Sequence, residues 1–324
     1  MENATFGTKL KNGAKGAFAS YGSVLIAVLA LSIVWSILSE YFLTPANFKN
    51  IGVYMSASGI IAAGITVSML LGGLDLSQMS IMAFSGIVVG VAYNAGVHGV
   101  WLMFVGIAVA LLGGIFNSAI MNYLHINPII TTLGTQMVFR SLANMICDGK
   151  VIPIQDSFIK WIGRGRILGL PVTMCMMIVV YIIIGVVLKY TRFGRNLISV
   201  GGSEEAAYLC GINIKKTRTI AYLISAACAG LASLLYIAQG YVAQPNQGSG
   251  ADMDCIAAVI IGGLSVAGGK GNVIGTLLGM LFFAVLANGM SLLSMSSYSQ
   301  SLVKGILLLA AVYIDIVRNR AAKN

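Results

Sequence analysis

The chain has 324 residues, of which 58% are hydrophobic and 9% charged, with a formal net charge of +10. Soluble domains carry about 25% charged residues, and no water-solvated core absorbs this much apolar sequence, so the solvent is a bilayer. The positive balance does not point to nucleic acid: the basic residues are spread over loops and termini without an aromatic-interleaved patch, and cytoplasmic loops biased to Lys and Arg give the same total.

Ten apolar segments are long enough to span, at roughly 22–39, 52–71, 79–97, 100–121, 128–147, 171–189, 219–239, 252–267, 272–290 and 299–316. The first follows Lys9, Lys11 and Lys15. Its core is long for a signal peptide and ends at Ser39-Glu40-Tyr41 without a small-residue cleavage site, so it reads as a retained span. GGLDLSQ divides the second and third segments, and Gly72, Gly73, Asp75 and Ser77 form a tight structural joint there. Backbone is irregular at such a joint and needs polar partners, which makes Asp75 a structural residue. The fourth segment holds Asn117. In the fifth, Thr131, Thr135 and, roughly, Phe139 and Arg140 follow helical spacing along one face. Arg140 cannot lose its charge, so it must face protein or water rather than lipid.

The loop 148–170 carries Lys150, Lys160, Arg164 and Arg166. Either one span is miscounted or this loop, on the side poorer in basic residues, has another task. The IKWIG stretch, with Trp161 as anchor, reads as a helix along the outer surface whose basic groups meet an acidic partner. The one long polar island follows at 190–218. There Ser203 caps a short helix, Glu204 and Glu205 occupy its first turn, Ala206, Ala207, Tyr208 and Leu209 continue it, and Gly211 ends it. This capped insert is a knob for a soluble partner to grip, beyond what a plain basic loop needs. With ten spans, thirteen basic residues fall on the knob's side and five on the other, with Arg140 and Lys304 inside spans. The knob and both termini are therefore expected in the cytoplasm.

Further along, Asp252 and Asp254 open a span, where they cap it or face a pore. AGGKG separates segments eight and nine, and Gly262, Gly263, Gly268 and Gly269 make a second joint. The two joints echo each other: span, GGL, small polar residues, then a span with Gly86/Gly90 or Gly275/Gly279. Such a weak two-half repeat suits a transport path, although membrane helices also use Gly in this way without a repeat. Lys304 can snorkel outward, and Asp315 sits at the interface. Neutral groups within the spans, namely Thr132 and Gln136 and, as the ones taken further, Asn117, Thr131, Thr135, Asn144 and Asn288, suit a neutral polar solute, or else bond helix to helix. With Arg140 and Asp254 they are the translocation candidates. GGLSVAGGKGN is not a phosphate loop, because Leu264 and Gly271 stand where Gly and Ser or Thr are required. No catalytic set and no metal-ligand spacing occurs, the five cysteines and two histidines being scattered.

Four blocks in order carry a resemblance: LGGLDLSQMSIMA, PIITTLGTQMVFRSLANMICDGK, RFGRNLISVGGSEEAAYLCGINIKKTR, and MDCIAAVIIGGLSVAGGKGNVIGTLLG with the following NGMSLL and SSYSQSLVKGILLLAAV. Over roughly residues 45–315 the chain resembles the membrane permease subunits of bacterial monosaccharide ABC importers, the ribose, galactoside, xylose and autoinducer types. Gln78-Met79, Ser141 and Cys255 depart from the family's usual residues and bear on substrate detail. The resemblance implies an all-α membrane protein of the type II importer permease fold, a single domain over 1–324. It implies a second permease subunit, identical or not, lining one path in the inner membrane lipid. It also implies a solute-binding protein docked outside at 148–170, and a cytoplasmic ATPase, usually a double cassette, gripping 203–211. ATP and Mg would be bound by that ATPase, and this chain would hold no cofactor and catalyse nothing. The competing reading is a stand-alone secondary transporter or facilitator, which would rely on Asp75, Asp252 and Asp254 for ion coupling.

Overall fold

The computed structural model describes residues 6–321, with side chains at 22–310, 312 and 313. The side chains of Lys9, Lys11, Lys15, Asp315, Arg318, Arg320 and Lys323, on which the charge count and the interfacial placement of Asp315 draw, lie outside the described residues. Thirteen helices follow one another in that stretch: α1 Phe6–Leu38, α2 Pro45–Leu70, α3 Gln78–Asn94, α4 Trp101–Tyr123, α5 Pro128–Cys147, α6 Ser157–Arg164, α7 Val172–Tyr190, α8 Arg192–Gly202, α9 Glu204–Leu209, α10 Ile214–Gly240, α11 Ala251–Ile261, α12 Val273–Leu292 and α13 Ser297–Ala321. Four two-residue strands complete the list: β1 Ile152–Pro153, β2 Arg166–Ile167, β3 Leu170–Pro171 and β4 Val242–Ala243.

Among the described residues five helices, α2, α4, α7, α10 and α12, are long and apolar enough to cross a membrane; Gly22–Leu38 within α1 and α3 are shorter apolar helices. The segment expected at 252–267 departs most from expectation. Helix α11 has 11 residues, about 16 Å at 1.5 Å per residue, which is half a bilayer core. The chain then continues without helix to α12. Gly262 packs so tightly on the α12 backbone that a Cβ would collide with the Gly275 carbonyl, and Gly263 takes φ +92°. Helix α3, with 17 residues, is likewise preceded by a non-helical stretch. Each Gly-rich joint is thus a non-helical stretch that is buried on its inner side, at 73–77 and at 262–265, and exposed toward the end of the bundle, at Gly72 and at 270–272.

Helix α10 lies at the centre, packed on α2, α3 and α4. Small residues permit the close approach: a Cβ on Gly230 would meet Ile107 Cα at 2.7 Å, and one on Gly114 would meet the Tyr222 carbonyl at 2.7 Å. The bundle has two distinct ends. At one, the knob end, α8 and α9 sit beside the end of α2, and Gly269 N donates to Leu70 O at 2.9 Å. At the other, the hairpin end, β1 pairs antiparallel with β4, β2 with β3, and Gly99 N donates to Asp156 Oδ2 at 3.1 Å. Helix α7 alone joins loop 148–170 to the knob, so the two lie on opposite ends and no span between them is miscounted.

Candidate functional site

The knob forms as local sequence dictates. Ser203 is extended and its Oγ accepts from Ala206 N at 3.3 Å. Gly211, at φ +78°, donates to Tyr208 O, and Ile212 N donates to Ala207 O, closing the helix end. Ala207 is buried against the bundle, while Glu205, Ala206, Tyr208 and Leu209 are exposed, Leu209 at 84%. Tyr208 and Leu209 thus put two adjacent apolar side chains on the outer face of the knob. The knob is strapped down by Arg218 of α10, whose guanidinium donates to Glu204 Oε1 at 2.6 Å and to Asn122 Oδ1 of α4 at 3.2 Å. Asn122 in turn donates to Lys215 O and to Thr219 Oγ1. Sequence reasoning missed Arg218, which carries no local signal of its role.

It also missed α8 as a separate element. Thr191 caps α8, accepting from Gly194 N at 3.3 Å, and Leu197 and Val200 are buried one turn apart. The cap and the 3–4 spacing were legible signals. At its far end a Cβ on Gly201 would collide with the Leu70 carbonyl and stand 2.7 Å from Gly269 N. Gly268, at φ +87°, lies as closely on Gly72 and on the Gly201 carbonyl. So the predicted joint residues Gly72, Gly268 and Gly269 converge on one spot, and that spot is the root of the knob. Gly262 and Gly263 lie deeper, at the end of α11.

The rest of the first joint holds a polar network. Asp75, 2% exposed, accepts from Ser77 N at 3.0 Å, Ser77 Oγ at 2.6 Å, Gln78 Nε2 at 3.2 Å and Ser225 Oγ of α10 at 3.4 Å. Asn117 of α4 donates to Ser77 Oγ at 2.8 Å, and Thr132 of α5 to Leu74 O at 3.1 Å. Four helices are thus tied to the broken backbone. Gly73 leaves room for Tyr222, whose hydroxyl would lie 2.7 Å from a Cβ there.

The translocation candidates do not gather into one site. Asn117 belongs to the Asp75 network. Thr131 and Thr135 are buried on the face of α5, Thr135 donating to Thr132 O at 3.3 Å. Arg140 turns to the hairpin end, donating to Pro245 O at 2.8 Å and Gln247 O at 3.0 Å, and Asn144 donates to Asn246 Oδ1 at 3.4 Å. Nearby, Gln136 donates to Asp252 Oδ2 at 3.2 Å. Asn288 exchanges amide bonds with Asn47 at 2.8 and 2.9 Å. Asp254 pairs with Lys304 at 2.5 Å, so Lys304 answers a carboxylate of α11 and does not snorkel outward. Among the described residues no three His, Cys, Asp or Glu side chains gather to hold a metal ion.

At the hairpin end Asp156 caps α6, accepting from Phe158 N at 2.8 Å and Ile159 N at 3.4 Å and standing 3.4 Å from His98 Nδ1. Burial alone would raise its pKa, but the N–H groups of Gly99, Phe158 and Ile159 and the His98 side chain together outweigh that and hold it below the usual carboxylate value.

Compared with known proteins, residues 47–312 match the family described as branched-chain amino acid transport system / permease component. The chain is 36% identical over 292 residues to the ribose import permease protein RbsC of Bacillus subtilis, covering 90% of this chain and 91% of that one. It is 32% identical over 319 residues to the L-arabinose transport system permease protein AraH of Escherichia coli, covering 96% and 97%. To the D-allose transport system permease protein AlsC of Escherichia coli it is 33% identical over 297 residues, covering 91% of each. No solved structure matches the chain.

Proposed function

Because the chain belongs to the family of transport-system permease components, matched over residues 47–312, we propose that it is the transmembrane subunit of an ATP-driven importer. Its cargo is a monosaccharide or a similar small neutral polar solute, in keeping with the ribose, L-arabinose and D-allose named for its relatives. In this reading the chain sits in the bacterial inner membrane with ten crossings in two loosely repeated halves, the knob end and both termini in the cytoplasm. A second permease subunit completes the path, a binding protein delivers solute at the hairpin end, and a separate ATPase binds ATP and Mg.

The observation that carries the reading is the exposed, strapped α9. The residues Ser203, Glu204, Glu205, Ala206, Ala207, Tyr208, Leu209 and Gly211 would form the coupling element. A pull on it passes through Arg218 to α4 and α10, and through α8 and Gly201 to the two broken joints. Helices packed backbone to backbone at those joints re-pack as rigid bodies, a hinge and shear switch. Glycine contacts transmit such a motion well because no rotamer can absorb it.

The test is co-purification from native membranes of the full chain, tagged at its C-terminus, with a Glu204→Lys/Glu205→Lys variant beside it. A cytoplasmic ATPase that accompanies the first and not the second supports the coupling role. A chain that purifies alone and moves solute in liposomes without ATP establishes the facilitator instead. Asp75 and Asp254 make that outcome the less expected, since both are already engaged, by four donors and by Lys304 respectively.

A further inference from the structure

Two neighbouring cavities at the hairpin end are both lined by Tyr54 and Gln239. The outer one, of ≈ 440 Å³, lies where α6 rests on the ends of α7 and α10. Asn50 and Arg164 on its rim are exposed. Gly163 seats α6 so closely that a Cβ would collide with the Ala238 carbonyl, and the Arg164 guanidinium lies 5.4 Å from the Tyr241 ring centroid. Thr173 lines this cavity, is 1% exposed, and its hydroxyl has no hydrogen-bond partner. A buried hydroxyl left so costs about 1–3 kcal/mol.

The inner cavity, of ≈ 210 Å³, lies one helical turn deeper: Ser58 follows Tyr54 along α2, and Tyr236 precedes Gln239 along α10. Its room equals roughly seven waters at ~30 Å³ each, the scale of one small sugar ring and too little for two. Its walls are mixed. Tyr54, Tyr236, Met280 and Phe283 present apolar faces, while Ser58 Oγ and Tyr236 OH, 2.9 Å apart, and the Asp254 carboxylate present polar edges. Lys304 neutralises Asp254, so the cavity offers hydrogen bonds without net charge. A ring with C–H faces and a girdle of hydroxyls matches that mixture; an ion does not.

We infer that the two cavities are one entry vestibule in which a neutral polyhydroxy ring, a single monosaccharide, rests on its way inward. It passes Thr173 and Asn50, crosses the waist at Tyr54 and Gln239, and lies against Tyr236, Ser58 and Asp254. The inference rests on the importer reading for its direction and adds a solute subsite to it. It also gives loop 148–170 a task within this chain, since α6 forms the lip.

Cysteine protection tests it in membrane vesicles that hold the full chain together with its ATPase and binding protein. Cys210 is exposed and Cys175 half-buried, whereas Cys147, Cys228 and Cys255 are buried, so Cys175→Ser/Cys210→Ser is the background. Gln239→Cys at the waist and, separately, Asn50→Cys at the rim report reaction with a water-soluble thiosulfonate, with D-ribose, L-arabinose or D-allose present or replaced by sodium chloride. Occupancy slows modification by 1 + [L]/Kd, roughly tenfold at ten times Kd. The expected result is slowing by at least one sugar, not by the salt, and its loss when Asp254→Asn is added. Equal rates with and without sugar at both cysteines, in vesicles that take up sugar with ATP, overturn the vestibule and leave the importer standing. Slowing in vesicles without ATP-driven uptake supports the vestibule and defeats the importer.

Discussion

At the knob end, Gly201, Gly268, Gly269 and Gly72 bring backbone against backbone, with Gly269 N donating to Leu70 O across the junction, while Arg218 straps α9 down. At the hairpin end, besides the β1–β4 pairing and the Gly163–Ala238 backbone contact, side chains join the elements: Arg140 on two carbonyls, Gln136 on Asp252, Asp254 on Lys304, Asp156 on the loop at Gly99. Backbone contacts have no rotamers to yield, so in the importer reading the knob end would move as a block. Side-chain bonds exchange with water or solute at modest net cost, so in the importer reading the hairpin end would open and close around a cargo. The same chain thus places stiffness where force would enter and exchangeable polarity where solute would enter.

The contrast is broken most sharply at Gly201. Gly201→Val drives a side chain into the Leu70 carbonyl and the Gly269 backbone, and it should abolish uptake and destabilise by at least the ~1–3 kcal/mol of an overpacked site. Gly202, with nothing near its Cβ, is the internal control: Gly202→Val should leave the melting temperature in detergent nearly unchanged. Equal behaviour of the two variants would show that the junction does not transmit through close packing.

A smaller effect is expected at Arg140. Arg140→Leu removes two bonds from a charged donor, each worth about 1.5–3 kcal/mol, and frees the loop at Pro245 and Gln247. Uptake should fall with knob docking intact; unchanged uptake and unchanged melting would mean that Arg140 serves only to snorkel. The smallest effect lies in the Asp156 cap. Asp156→Ala should cost about 0.5–2 kcal/mol, read as faster proteolysis in loop 148–170. Since the pKa of Asp156 is lowered in the folded protein, its stabilisation is fully present above the ordinary carboxylate value near ~3.9. It is lost as pH falls through the lower folded value. The wild-type loop should loosen over that acid window, and the alanine variant should show no such step.

What is local was legible. The α9 knob, its Ser203 cap and its Gly211 stop follow from residues a few positions apart, as does the reliance of Asp75 on polar neighbours, two of which, Ser77 and Gln78, are adjacent in sequence. Arg140 was correctly taken to face protein or water because its charge forbids lipid, but its carbonyl partners lie more than a hundred residues on and had no mark in the sequence. The breaks after α11 and before α3 were half legible: Gly-rich stretches announce a joint, yet hydropathy cannot tell a tight turn from a longer stretch of unwound backbone, because both are apolar.

By itself the sequence determined that the protein is a helical membrane protein with one capped polar insert, since bilayer burial and helix capping act over a single span or turn. Only the tertiary structure decided that Arg218 straps the knob, that Gly201 meets Leu70 and Gly269, that Lys304 answers Asp254, and that Tyr54 and Gln239 border one cavity. Those pairs are joined by helices crossing in space, and the free energy that selects a crossing comes from surfaces fitting together, which no window along the chain contains.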